Sequence, residues 1–204
     1  MTVATLDRER RDQVWTRRVV SLSDREFETR EEDGQKVIKG YFAVFNQSTE
    51  LYPGVTEHIS PGAFAGATDV RGLINHDTSK VLGRTKAGTL KLVEDSYGLF
   101  GTIIVNSDDP DAVGMYARIQ RGDVDQASFG GYIVSENFKD LGNKKYDFEI
   151  LEFDLWEISP CTFPQYEQTG LSTRTRTISD HEDQLRREAL KKRLLRGKLG
   201  CQKD

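Results

Sequence analysis

Lys144-Lys145-Tyr146-Asp147-Phe148-Glu149-Ile150-Leu151-Glu152-Phe153-Asp154-Leu155-Trp156-Glu157-Ile158 sets apolar residues at Phe148, Ile150, Leu151, Phe153 and Leu155, with acids between them. A period of two is the mark of a strand with one face in a core. A second run rich in β-formers, Val37-Ile38-Lys39-Gly40-Tyr41-Phe42-Ala43-Val44-Phe45, lies upstream. Residues 25–31 and 36–45 read as the arms of a hairpin, with Glu32-Asp33-Gly34-Gln35 as its turn and Gly34 free to take a positive φ. Working outward, Val70 to Asn75 reads as a strand that delivers His76 at its end. Leu82–Arg84, Thr89–Glu94 and Leu99–Val105 read as strands punctuated by glycine, and Ser128–Val134 as another. Three helices are expected. Ser60 as N-cap and Pro61 as first helical residue predict a short one through Phe64. Asp108-Asp109-Pro110 opens a second, which Gly122 ends. The third is weakly amphipathic, running from about Ser179 with Leu185, Leu190, Leu194 and Leu199 among basic residues. Pro160 and Pro164 bracket a loop. The expected fold is α+β, with a mostly β core between residue 25 and about residue 173.

The 204 residues are enough for one domain with a sizeable core and terminal extensions. Residues 1–24 read as a charged leader, 25–173 as the core domain and 174–204 as a basic, helical or flexible tail. The tail carries 10 Lys and Arg against 5 Asp and Glu, and the rest 19 against 28. An acidic body argues against nucleic-acid binding over the main surface. No apolar run approaches the roughly 20 residues of a membrane helix. Cys161 and Cys201 lack zinc or redox-motif spacing, and His58, His76 and His181 form no metal-ligand cluster, so neither metal nor cofactor is expected.

Two segments carry candidate chemistry. Asp125-Gln126-Ala127-Ser128-Phe129-Gly130-Gly131 sets one serine among small residues at the start of a strand. A serine hydroxyl needs an imidazole to take its proton. Asn75-His76-Asp77 offers one, since His58 sits beside a proline-gated loop and His181 in a polar tail. Read alone, the first segment is more readily an ordinary strand with a bulge, and the second a polar turn. Glu149, Glu152, Asp154 and Glu157 are all open as the acid that would orient the histidine. Alternation separates Glu157 from Glu152 and Asp154 unless a bulge intervenes.

Other stretches extend the pattern: Gly40–Asn46, Glu57-His58-Ile59-Ser60-Pro61-Gly62-Ala63-Phe64, Leu82-Gly83-Arg84-Thr85, Gly88-Thr89-Leu90 and Arg121-Gly122-Asp123-Val124. Trp156-Glu157-Ile158-Ser159 and Thr162-Phe163-Pro164 follow. In this order, over residues 37–166, the chain resembles the prohead (capsid maturation) serine proteases of tailed bacteriophages, which are related in fold to the herpesvirus assemblins. The resemblance implies a mostly antiparallel, β-barrel-like α+β core with a few helices. It implies Ser128 as nucleophile and His76 as base, with Glu157, downstream of the serine, as third member. The implied activity is that of a serine endopeptidase that trims scaffold and major capsid proteins, and itself, inside an immature capsid in the bacterial host. Self-association is compatible with this reading. A non-catalytic assembly or scaffold module with the same fold is the alternative. Two departures stand out. Residues Pro160 to Gln168 contain no arginine, where the herpesvirus enzymes use a paired-arginine loop for the oxyanion. Gly131 stands where many relatives carry a larger residue.

Overall fold

The computed structural model describes residues 2–7, 15–20, 27–163 and 168–200. The chain divides into two compact units, residues 1–167 and 168–204. The first is built on one long hairpin, β11 (Gln126–Gly142) and β12 (Lys145–Cys161), turned at Asn143-Lys144 with both residues at positive φ. Six more strands complete an eight-stranded sheet around it. These are β1 (Thr2–Asp7), β2 (Trp15–Val20), β5 (Thr49–Tyr52), β6 (Val55–Ile59), β7 (Arg71–Ile74) and β8 (Asp77–Arg84). β1 and β2, both within the expected leader, pair antiparallel with β11, whereas β6 and β7 pair parallel with β12.

A four-stranded antiparallel sheet runs in the order β3 (Glu28–Glu32), β4 (Gln35–Val44), β10 (Gly98–Ile104), β9 (Leu90–Glu94). The hairpin read from Glu32–Gln35 is β3–β4, with Gly34 at φ +76°. The two sheets share one core, in which Phe42 and Ile103 meet Phe129, Phe153 and Ile158. Helix α1 (Pro110–Arg121) has Asp109 as N-cap and a left-handed Gly122 at its end, as its sequence predicts, and buries Ala112, Met115, Tyr116 and Ile119. The α+β class, mostly β with two helices, is as read, and the sheets do not close into a barrel.

Local differences from the sequence reading have physical causes. Ser60 to Phe64 forms a series of turns, not a helix. The Glu94 carboxylate accepts from the Gly62 and Phe64 N–H groups, and the Ser60 hydroxyl donates to Glu149 instead of capping. Pro160 lies within β12, while Pro164 falls outside the described residues. The second unit is helix α2 (Gln168–Gly200), longer than the expected tail helix, with Leu185 and Leu190 exposed; the side chains of Leu194 and Leu199 lie outside the described residues. No helix among the described residues is long and apolar enough to cross a membrane.

Candidate active site

The β11–β12 pairing decides which side chains can meet. Phe148 and Ile150 face the core, and so do Phe153 and Leu155, because the register shifts between Glu136↔Ile150 and Ser135↔Glu152. A second shift follows: Gly130 pairs with Glu157 and Gly131 with Leu155, so Trp156 has no partner and stands half exposed. Such a bulge reverses the facing of everything beyond it. Ile158, opposite Phe129, takes the core side. Glu157, Ser159 and Cys161 then share the other side with their β11 partners Gly130, Ser128 and Gln126. Glu152 and Asp154 are exposed.

His76 reaches this face from the two-residue turn Asn75-His76 between β7 and β8, with Ile74 paired to Asp77. Both turn residues lie in the left-handed region, at φ +51° and +62°. For side chains other than glycine this conformation is costly and must be held in place. The end of β12 holds it. Asn75 N donates to Pro160 O at 3.2 Å, Thr162 N to Asn75 Oδ1 at 2.8 Å, and His76 N to Ser159 Oγ at 3.2 Å. Asp77 takes no part, accepting instead from Ser79.

His76 Nδ1 lies 2.6 Å from Glu157 Oε1, both side chains buried. The carboxylate's other oxygen accepts from Ser159 Oγ at 2.6 Å. A carboxylate at Nδ1 fixes the proton there and leaves the Nε2 lone pair as the acceptor. Nε2 faces Cys161 Sγ at 3.5 Å. Burial, and secondarily the Glu157 charge, push the Cys161 thiol up to about 12, so it holds its proton near neutral pH.

Ser128 is fully buried on the same side, opposite Ser159, but its hydroxyl donates to the Arg18 carbonyl of β2 at 2.8 Å. No hydrogen bond among the described residues joins Ser128 to His76. The structure thus joins His76 to Glu157 directly and sets Ser128 on the adjoining strand, facing the same way. The glycines after it serve the bulge. A Cβ on Gly130 would collide with the Glu157 carboxylate, and one on Gly131 with the Asp154 carbonyl.

A second Ser–His–acid gathering lies at the other end of β12. His58 Nδ1 is 3.5 Å from Asp147, and its Nε2 3.9 Å from Glu149. There the Ser60 hydroxyl donates to Glu149. Asn137 and Ser60, with Lys139 beside them, hold the Glu149 carboxyl down to about 2. A serine bonded to the acid instead of the imidazole is not activated. The Leu82–Thr85 stretch serves structure: Arg84 forms a bidentate pair with Asp69, and Thr85 Oγ1 accepts from Val70 N. The Arg84 hydrogen bonds, with the Arg71, Arg84 and Lys86 charges, hold Asp69 well below the usual carboxylate range. Among the described residues no group of histidines, cysteines or acids could hold a metal ion.

Sequence reasoning weighed Cys161 only for metal and redox spacing, and passed over Ser159 and Arg18 as individual residues. Ser159 had a signal, since two positions beyond Glu157 on a strand is the same face. Arg18 had none, as it reaches the site only through the pairing of β2 with β11.

Residues 24–184 match the protein family described as Caudovirus prohead serine protease. The prohead protease of Enterobacteria phage HK97 is 27% identical over 180 residues, covering 83% of this chain and 76% of that protein. A solved structure, the bacteriophage T4 capsid assembly protease gp21, is similar over 75% of this chain and 99% of its own length, at 11% identity and a TM-score of 0.49. With most of its length inside the family match, the chain belongs to the Caudovirus prohead serine proteases, the proteases of tailed-phage capsid maturation.

Proposed function

We propose that this chain is a serine endopeptidase that cuts the scaffold and major capsid proteins of an immature phage capsid, and itself, within the bacterial host. Ser128 is the nucleophile, His76 the base and Glu157 the orienting acid. The observation that carries this reading is the buried His76–Glu157 pair, whose Nε2 meets Cys161 Sγ on the same face of β11 and β12 that bears Ser128. In the reaction the Ser128 hydroxyl leaves the Arg18 carbonyl and gives its proton to Nε2 as Oγ bonds to the scissile carbonyl carbon. Glu157, hydrogen-bonded at Nδ1, stabilises the imidazolium. The imidazolium then protonates the departing amine as the peptide C–N bond breaks. Water, deprotonated by the same imidazole, releases the acyl group from Ser128. This chemistry calls for neither metal nor cofactor.

The second reading is a non-catalytic assembly module of the same fold. The Ser128 hydroxyl bound to Arg18, with Nε2 turned to Cys161, favours it. Co-expression with the cognate capsid protein, followed by intact-mass measurement of both chains, separates the two. The protease reading expects cut capsid protein with the natural sequence and uncut protein with Ser128→Ala or His76→Ala. Full processing by a folded Ser128→Ala protein removes Ser128 as nucleophile.

A further inference from the structure

Strand β2 pairs with the stretch of β11 that carries Ser128. It runs antiparallel along β11 from Trp15↔Tyr132 to Val20↔Ala127, and its Arg18 carbonyl holds the Ser128 hydroxyl. Adding a strand to a sheet edge is a common mode of peptide recognition: the main chain supplies affinity, and pockets for alternate side chains supply selectivity. The two side chains of β2 described as buried are Thr16 and Arg18, at 2% and 7% exposure. A strand built into a core turns large apolar groups inward, and these are a hydroxyl and a guanidinium. Arg18 lies opposite Phe129, and its guanidinium reaches Glu57 on β6. Nε and Nη2 donate to the two carboxylate oxygens, the second at 2.8 Å. Glu57 is only 4% exposed. Taking two guanidinium donors away from a carboxylate buried this deeply is costly. Whatever replaces β2 along β11 therefore does best by bringing a cation to the same place. The forked geometry matches a guanidinium better than an ammonium.

We infer that Glu57 is an arginine-reading subsite of the peptide groove along β11, and that β2 is the chain's own occupant of that groove. Peptides cut at Ser128 then carry arginine where β2 carries Arg18, at the residue that supplies the scissile carbonyl. This rests on the protease reading above.

The test has a binding arm and a turnover arm. Fluorescent decapeptides of residues 13–22 are made with Arg, Lys, Ala or Glu at the position of Arg18. Their binding is measured by anisotropy to the full-length Ser128→Ala/Arg18→Ala protein, whose own strand no longer fills the subsite. The arginine peptide should bind at least tenfold more tightly than the alanine peptide, with lysine between them and glutamate weakest. Adding Glu57→Gln should erase the difference between arginine and alanine. Equal binding across the series, or no binding at all, overturns the inference. That series uses intact Glu57, so it decides even if Glu57→Gln fails to fold. The same peptides are then offered to the natural sequence. Turnover without arginine selection sinks the subsite alone. Arginine-selective binding with no turnover of any peptide supports the subsite and sinks the protease reading.

Discussion

Replacing Ser159 with alanine removes two hydrogen bonds made by one buried atom. The hydroxyl donates to Glu157 Oε2 at 2.6 Å and accepts from the His76 N–H at 3.2 Å. A hydrogen bond to a charged group contributes about 1.5–3 kcal/mol, and a buried N–H left without a partner costs about 1–3 kcal/mol. Glu157 keeps His76 as a partner, so a combined loss of about 3 kcal/mol in folding stability is reasonable. The same atom helps hold His76 in its left-handed turn. If half of that loss falls on the placement of the imidazole in the transition state, kcat drops about tenfold. KM should not change, since Ser159 is fully buried and bonded only within the site. Urea unfolding gives the first quantity and turnover of a peptide substrate the second. A Ser159→Ala protein within about 0.5 kcal/mol of the natural stability, with unchanged kcat, would refute the reasoning, since surface changes alone fall in that range.

Glu157→Gln should lower kcat by about 10²–10⁴-fold and Ser128→Ala by more, because the first misorients the base and the second removes the nucleophile; equal losses in single-turnover measurements would count against the assignment of roles. Gly131→Ala should cost about 3 kcal/mol or more, since the new methyl meets the Asp154 carbonyl, which is backbone and cannot turn aside; thermal unfolding measures it. The Glu149 carboxyl is held down to about 2 from 4.5. Its contribution to stability is therefore complete above 4.5 and lost as pH falls from there toward 2. Urea midpoints across that window should fall less steeply for Glu149→Gln. Deleting residues 179–204 should leave a folded, competent protease that enters procapsids poorly. Unfolding on truncation would make the tail part of the core, and unchanged procapsid content would remove its targeting role.

Much of the fold could be read from local pattern. The alternation through Phe148 and Phe153 gives β12, the Glu32–Gln35 turn gives β3–β4, and Asp109 and Gly122 bound α1 as their capping chemistry requires. The adjacent apolar pair Ile150-Leu151 even marks where the alternation changes phase. Non-local contacts were illegible. The Ser60–Phe64 turns are decided by Glu94, which sits 30 residues beyond Phe64. Only half the residues of β1 and of β2 are apolar, and the partner that makes them strands is more than 100 residues away. At the site, the position of His76 at a strand end was legible, but the hydrogen bonds of its backbone to the end of β12 were not.

The two glycines after Ser128 show how closely the placing of the candidate nucleophile and the candidate acid is linked. In the structure they make room for the bulge at Trp156. Leu155 faces the core, and without an extra residue Glu157 would face it too, leaving His76 without its acid. The bulge turns Glu157, Ser159 and Cys161 to the opposite side, where Glu157 receives Nδ1, Ser159 fastens the turn and Cys161 confronts Nε2. That turn is possible only if β11 offers no Cβ at residues 130 and 131. Ser128 precedes this pair on the same strand and is held in register by Ser159. One local irregularity thus orients the Glu157 carboxylate, frees the space it occupies and fixes the place of Ser128 on the neighbouring strand. A larger residue at position 131 demands that Asp154 and the bulge be set differently. The Ser-Phe-Gly-Gly of this chain and its Trp156 bulge are therefore a matched pair.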